Sequence, residues 1–289
     1  MRARYPGCDG IVVRDGVEIR YERYGQGWPA ILLLPTWSLV HSRHWKMQVP
    51  YLARHFTVVC FDGRGSGGSG RPPPEPDAYT DVQFASDSVA VMDAAGIETA
   101  ILVSVSCGAS WALRLCAEHP DRVLGSVFIA PTAPLVPPLA ERRVQRFGEV
   151  FDGPVGWQLY NAHGWKTQYP EFVTFMVGRI FTDPHSTRQI EDATGWALEI
   201  DGETLAATHL GLECCDAATT RRQAARIACP VLVIHGTHDA VRSYAEGEAL
   251  ARCTGGVLMT LAGAGHFPHA RDPVRVNLLI KQFTDRIRR

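Results

Sequence analysis

Six short β-rich runs punctuate the polarity pattern of this chain, at residues 30–34, 56–61, 100–105, 123–130, 231–234 and 257–261. The first two are apolar at nearly every position, which predicts strands covered on both faces. Ahead of them, residues 11–14 and 17–24, split by Asp15-Gly16, read as a hairpin. Between the runs the period lengthens to that of helices. Thr80-Asp81-Val82-Gln83 reads as a capping box opening a helix to Ala95, with Gly96 closing it. A second helical pattern runs from Ser106 through Leu113 and Cys116 to His119-Pro120, and a third covers 243–252. Residues 45–54 have helical composition but carry Pro50 inside the pattern. Asp272-Pro273 opens the last helix, which sets Val276, Leu279, Ile280, Phe283 and Ile287 on one face. Arg286, Arg288 and Arg289 suit its C-terminal dipole.

Strands alternating with helices predict an α/β fold, a parallel sheet with helices on both faces. The alternation lapses between Thr132 and about Ile227, where no strand pattern appears. Helix formers and ten aromatics, among them Phe147, Trp157, Tyr160, Trp165, Phe172 and Trp196, fill that stretch. The expected organisation is a core of residues 1–131 and 228–289 with a helical cap of 132–227. No internal repeat or low-complexity linker interrupts it.

Composition narrows the partners. With 46% hydrophobic and 20% charged residues, the 289-residue chain has enough apolar material for a large core. Its net charge of −1 provides no basic face for nucleic acid or an anionic membrane. Met1-Arg2-Ala3-Arg4-Tyr5-Pro6 lacks an apolar signal core, and no apolar run is long enough to cross a bilayer, so a cytoplasmic protein is expected. The eight cysteines (Cys8, Cys60, Cys107, Cys116, Cys214, Cys215, Cys229, Cys253) form no C-x-x-C pair and read as reduced, structural thiols.

The chemistry gathers where the run 100–105 stops at Ser106 and turns directly into a helix. Such a turn strains its apex and leaves no room beside it. The neighbours Ser104, Gly108 and Ala109 are all small, so Ser106 reads as a nucleophile elbow, with Cys107 pointing away from the pocket. Two more polar residues, Asp239 and His266, stand just beyond later strands. In an open parallel sheet the carboxyl ends of strands share one edge, so three such ends can bring the three side chains together. The Gly-rich segment 62–69 lacks the Lys-Ser/Thr ending of a phosphate loop and reads as a structural turn. The H-x-x-H pairs His41/His44, His235/His238 and His266/His269 lack the further ligands of a zinc pattern, so no metal and no cofactor are expected.

With these motifs the chain resembles the α/β-hydrolases along essentially its whole length. The resemblance rests on Asp62-x-Arg64-Gly65-x-Gly67-x-Ser69, the Ser106 elbow, Gly236-x-x-Asp239 and Gly263-x-Gly265-His266. It implies a mostly parallel eight-stranded sheet with a cap inserted after the sixth strand. It also implies that Ser106 attacks a carbonyl, His266 shuttles the proton and Asp239 supports the imidazolium, so that activity falls in acid. The backbone N–H groups of Cys107 and Trp37 would hold the oxyanion. Pro35-Thr36 departs from the family's usual His-Gly. Serine at the elbow argues against dehalogenase and epoxide-hydrolase chemistry, which need a carboxylate there.

Three segments are similar to those of serine-dependent macrolide esterases: Pro35-Thr36-Trp37-Ser38-Leu39-Val40-His41-Ser42-Arg43-His44-Trp45, Tyr160-Asn161-Ala162-His163-Gly164-Trp165 and Asp183-Pro184-His185-Ser186-Thr187. That resemblance implies a 16-membered macrolactone as substrate, and makes His41, His44, Trp165 and His185 the expected substrate contacts. A general carboxylesterase, an acyltransferase or perhydrolase with the same triad, and a receptor that keeps the triad without turnover are the alternatives.

Overall fold

A computed structural model describes residues 4–144, 147–212 and 216–288. Eight strands form one sheet: β1 (Cys8–Arg14), β2 (Val17–Tyr24), β3 (Ala30–Leu33), β4 (Thr57–Phe61), β5 (Ala100–Val105), β6 (Val123–Ile129), β7 (Val231–Gly236) and β8 (Val257–Leu261). Their spatial order is β1-β2-β4-β3-β5-β6-β7-β8. Only β2 runs against its neighbours; every pairing from β4 to β8 is parallel. This is the expected architecture. The hairpin starts earlier than its pattern, at Cys8, because β1 stays paired with β2 from Cys8↔Arg23 to Arg14↔Val17.

The helices are α1 (Val49–Leu52), α2 (Asp81–Ala94), α3 (Gly108–Glu118), α4 (Ala162–Thr167), α5 (Tyr169–Ile180), α6 (Thr187–Ala197), α7 (Gly202–Leu212), α8 (Ala217–Ala224), α9 (Tyr244–Thr254), α10 (Pro268–Arg271) and α11 (Pro273–Ile287). The stretch 45–54 yields only a single turn, α1. Pro50 sits in its first turn, where a missing N–H costs nothing, and a 3₁₀ turn Ser42–Trp45 precedes it. The capping box before α2 is half made. Thr80 accepts from the Gln83 N–H, but the Gln83 side chain turns to Arg14 instead.

Successive strand residues alternate between two apolar layers, as the period of two requires. Leu32, Leu34, Val59, Phe61, Leu102 and Phe128 pack against α2, α3 and α9. Ile31, Leu33, Val58, Val103, Val105, Val127 and Ile129 join the other layer, which includes Val276 and Ile280 of α11. That layer runs on without a break into the segment between β6 and β7, through Trp157, Tyr160, Trp165, Phe172, Val173 and Val177. The insert is helical, α4 to α8, with no strand among its described residues. The turn 62–69 is structural: Asp62 accepts from the Ser42 and Gly68 N–H groups, and buried Arg64 pairs with Asp87. The six described cysteines are free thiols; Cys214 and Cys215 lie outside the described residues. Among the described residues no helix is long and apolar enough to cross a membrane.

Candidate active site

The tip of β5 carries the first functional side chain. Ser106 has φ +52°, the strained left-handed conformation that a strand-to-helix turn imposes on its apex. Its N–H donates to the Ile129 carbonyl (3.0 Å) and its own carbonyl accepts from Thr132 N–H (2.9 Å), so neighbouring backbone fixes the strained residue. Gly108 is required next to it, because a Cβ there would lie 2.6 Å from the Pro35 carbonyl oxygen. The missing side chain lets the loop after β3 lie directly against the elbow.

Asp239 and His266 come from the loops after β7 and β8. Gly236 brings these loops together; a Cβ there would meet the Ala264 carbonyl oxygen at 2.1 Å. Asp239 Oδ1 accepts from the Val241 and Arg242 N–H groups, each at 2.8 Å. Its Oδ2 accepts from His266 Nδ1 at 2.8 Å. With the Nδ1 proton committed to the carboxylate, Nε2 faces Ser106 Oγ as an acceptor, 3.0 Å away. Hydroxyl, imidazole and carboxylate are thus joined and buried. Burial alone would raise the Asp239 pKa, but His266 and His235 hold it well below the usual carboxylate range.

His235 is the residue that sequence reading missed. It is fully buried in β7, and its Nε2–H donates to the same Asp239 Oδ2 at 3.0 Å. Gly247 leaves room for its ring, since a Cβ there would stand 2.4 Å from His235 Nδ1. The i, i+4 spacing of His235 and Asp239 was the available signal, hidden because His235 falls inside the strand. His238, the other member of that H-x-x-H, is exposed. Among the described residues no group of three metal-ligating side chains gathers anywhere.

The loop after β3 lies where an oxyanion would form. Thr36, in place of the usual glycine, donates its hydroxyl to the Val105 carbonyl (2.9 Å) and pins the loop to β5. Among the described residues, neither the Trp37 nor the Cys107 N–H makes a backbone hydrogen bond. The Trp37 indole N–H reaches up to Thr208 Oγ1 on α7 (2.9 Å). A cavity of about 140 Å³ opens beside these groups, lined by Trp37, Cys107, Ser110, Thr132, Arg142 and Arg242, with Tyr160 and His209 from the cap.

The four expected substrate contacts do not line this cavity. His41 faces an open cleft, with its Nε2 3.5 Å from Glu199 and its ring against Trp196, because the loop turns away after Val40. His44 is fully enclosed against Trp45 and Phe267, with Nδ1 3.2 Å from His269 Nε2. It borders a separate cavity of about 360 Å³ that includes neither Ser106 nor Cys107. Trp165 belongs to the cap's own aromatic core, packed on Trp37, Tyr160 and Phe172. His185 is exposed, at φ +62°.

The cap is tied to the base. His266 N–H donates to the Ile180 carbonyl (3.3 Å) and Gly265 N–H to Asp183 Oδ2 (3.1 Å).

Known proteins with this fold are numerous. The chain is similar to 3-oxoadipate enol-lactonase 2 of Acinetobacter baylyi, 25% identical over 273 residues that span 93% of both chains. In structure it is similar to the enol-lactonase of Burkholderia xenovorans (24% identity, TM-score 0.77, 95% of this chain and 99% of that one). A thermophilic esterase from Thermogutta terrifontis, with malate bound, matches at 24% identity and TM-score 0.78 over 96% of this chain and 97% of its own. The sequence profile of the alpha/beta hydrolase fold matches residues 29–273. The chain therefore belongs to the alpha/beta hydrolase fold family, as a hydrolase of carboxylic esters.

Proposed function

We propose that the chain hydrolyses its ester through an acyl-enzyme on Ser106, and that lactones are the esters it takes. One observation carries the mechanism: a strained serine hydroxyl 3.0 Å from an imidazole whose other nitrogen is held by a buried carboxylate. As Ser106 Oγ bonds to the carbonyl carbon, its proton passes to His266 Nε2. The imidazolium so formed is stabilised by Asp239. The oxyanion accepts from the Cys107 and Trp37 N–H groups, each donor worth about 2.7–4 kcal/mol in the transition state. His266 then protonates the leaving alkoxide as the C–O bond breaks, and water repeats the sequence to free the acid. In a lactone the alcohol stays tethered to the acyl group, and re-closure competes with water. The enol-lactonase relative supports a cyclic ester.

The finer reading, a 16-membered macrolactone, is supported by the three segments shared with macrolide esterases. The cavity of about 140 Å³ is small for such a ring, so this substrate requires the cap to be displaced.

The test is a panel of small lactones, aryl esters and macrolides, read by mass spectrometry for the gain of one water. Ser106→Ala is expected to abolish turnover, and Cys107→Ser to retain most of it. An active serine variant beside a dead cysteine variant would overturn the assignment of nucleophile. Saturable binding without product would make the chain a receptor.

A further inference from the structure

The cavity beside the elbow holds two guanidinium groups that the triad chemistry leaves unused. Arg142, 9% exposed, comes from the 3₁₀ turn Ala140–Val144 and donates to the Val241 carbonyl (2.8 Å). Its Nε is buried without a partner, and no carboxylate among the described residues lies within ion-pair distance of it. Its Cζ lies over the Trp157 ring, 4.8 Å from the centroid. Arg242, its side chain 19% exposed, has among the described residues only a long ion-pair contact, to Glu246 (3.8 Å), and its Nε is likewise unpartnered there.

Among the described residues, the acids beside Arg242 are already engaged. Glu246 Oε2 accepts from the Ala133 N–H, and Asp239 is occupied by two histidines and two backbone amides. Burial, with Arg242 beside it, pushes the Arg142 pKa down to about 10, so the group is charged at neutral pH at an energetic cost. Burial is also the largest single influence against the charge of Arg242, but Glu246 together with smaller contributions from its other neighbours outweighs it and the pKa rises. A buried cation without a counter-ion is costly unless a ligand supplies one. Arg142, Arg242, Cys107 and Trp37 all line the same space, so such a ligand would sit next to the oxyanion donors.

We infer that Arg142 and Arg242 form a receptor for a carboxylate borne by the substrate, a few bonds from the scissile carbonyl. This rests on the reading of the site as an ester hydrolase and narrows its substrate class to esters, lactones among them, whose acyl part carries an anion. Guanidinium forks suit a carboxylate because they can donate two parallel N–H bonds.

The experiment compares kcat/KM for mono-(para-nitrophenyl) glutarate with that for para-nitrophenyl valerate, which lacks the carboxylate. The wild type is expected to favour the anion by about tenfold or more, and Arg142→Met or Arg242→Met to cut that ratio by about tenfold through KM. A ratio near one, or one unmoved in both variants, overturns the inference. A second arm needs no turnover and no arginine variant: Ser106→Ala protein is titrated with glutarate and with dimethyl glutarate, read by thermal shift. Stabilisation by the dianion alone supports the receptor; equal response or none refutes it. If neither ester is hydrolysed, the ester-hydrolase reading fails, and the titration still decides the carboxylate receptor.

Discussion

An aspartate that accepts from two imidazoles on one oxygen and two amides on the other, as Asp239 does, has no freedom left to rotate. His266 inherits that fixity, and the hydroxyl of Ser106 inherits it in turn. The neighbouring histidines follow a different logic. His44 and His269 are fully buried, and burial first, then the neighbouring imidazoles, keeps their pKa values low: His44 well below 6.5, His269 down to about 3. The unfolded chain therefore takes up these protons before the folded one. The contribution of His269 is complete above pH 6.5 and is lost as pH falls from there toward about 3, by up to about 1.4 kcal/mol per pH unit, and His44 acts with the same sign. The melting temperature is expected to drop by several degrees between pH 6.5 and 5.5. In His269→Gln about half of that slope should disappear in calorimetry. The burial of these two histidines was not legible in the sequence. The triad could be read because each member follows an apolar run, whereas the enclosure of His44 depends on which way a loop turns after Val40, and local polarity does not encode that.

At the scale of elements, the strained turn at Ser106 works because two loops lean on it. Thr36 ties one of them to β5, and the Trp37 indole ties it upward to α7. Thr208→Val leaves that indole N–H buried without an acceptor and is expected to cost about 1–3 kcal/mol. Adding Trp37→Phe removes the orphaned donor, so the double variant should recover part of the loss in urea unfolding, whereas independent effects would simply add. The elements themselves were largely legible. Strands covered on both faces, the helix after the elbow and the amphipathic α11 announce themselves by period. The stretch 45–54 did not, because Pro50 is compatible with either a broken helix or the first turn of a short one, and packing chose the latter. The cap's aromatics were equally legible as a group, yet their sorting into self-packed residues such as Trp165 and cavity residues such as Tyr160 depends on tertiary contacts alone.

For the whole molecule, the decisive fact is that one apolar layer runs from the sheet into the cap. The eight-stranded, mostly parallel sheet was readable from alternation and resemblance, but the residues that would meet a substrate were not. The cap brings Arg142 and Tyr160 to the cavity from 97 and 79 positions before Asp239, across a helical insert with no strand among its described residues to set its register. Gly265→Ala tests how firmly cap and base are coupled, since its Cβ would stand 2.8 Å from both Asp183 Oδ2 and Thr182 Oγ1. The variant is expected to lower kcat and to speed proteolysis around residues 181–187; an unchanged kcat would show that the base tolerates a shifted cap. The bond from the His266 amide to the Ile180 carbonyl also makes the roof part of the engine: the main chain of the general base hangs from the end of α5, so a displacement that breaks this bond also loosens the imidazole.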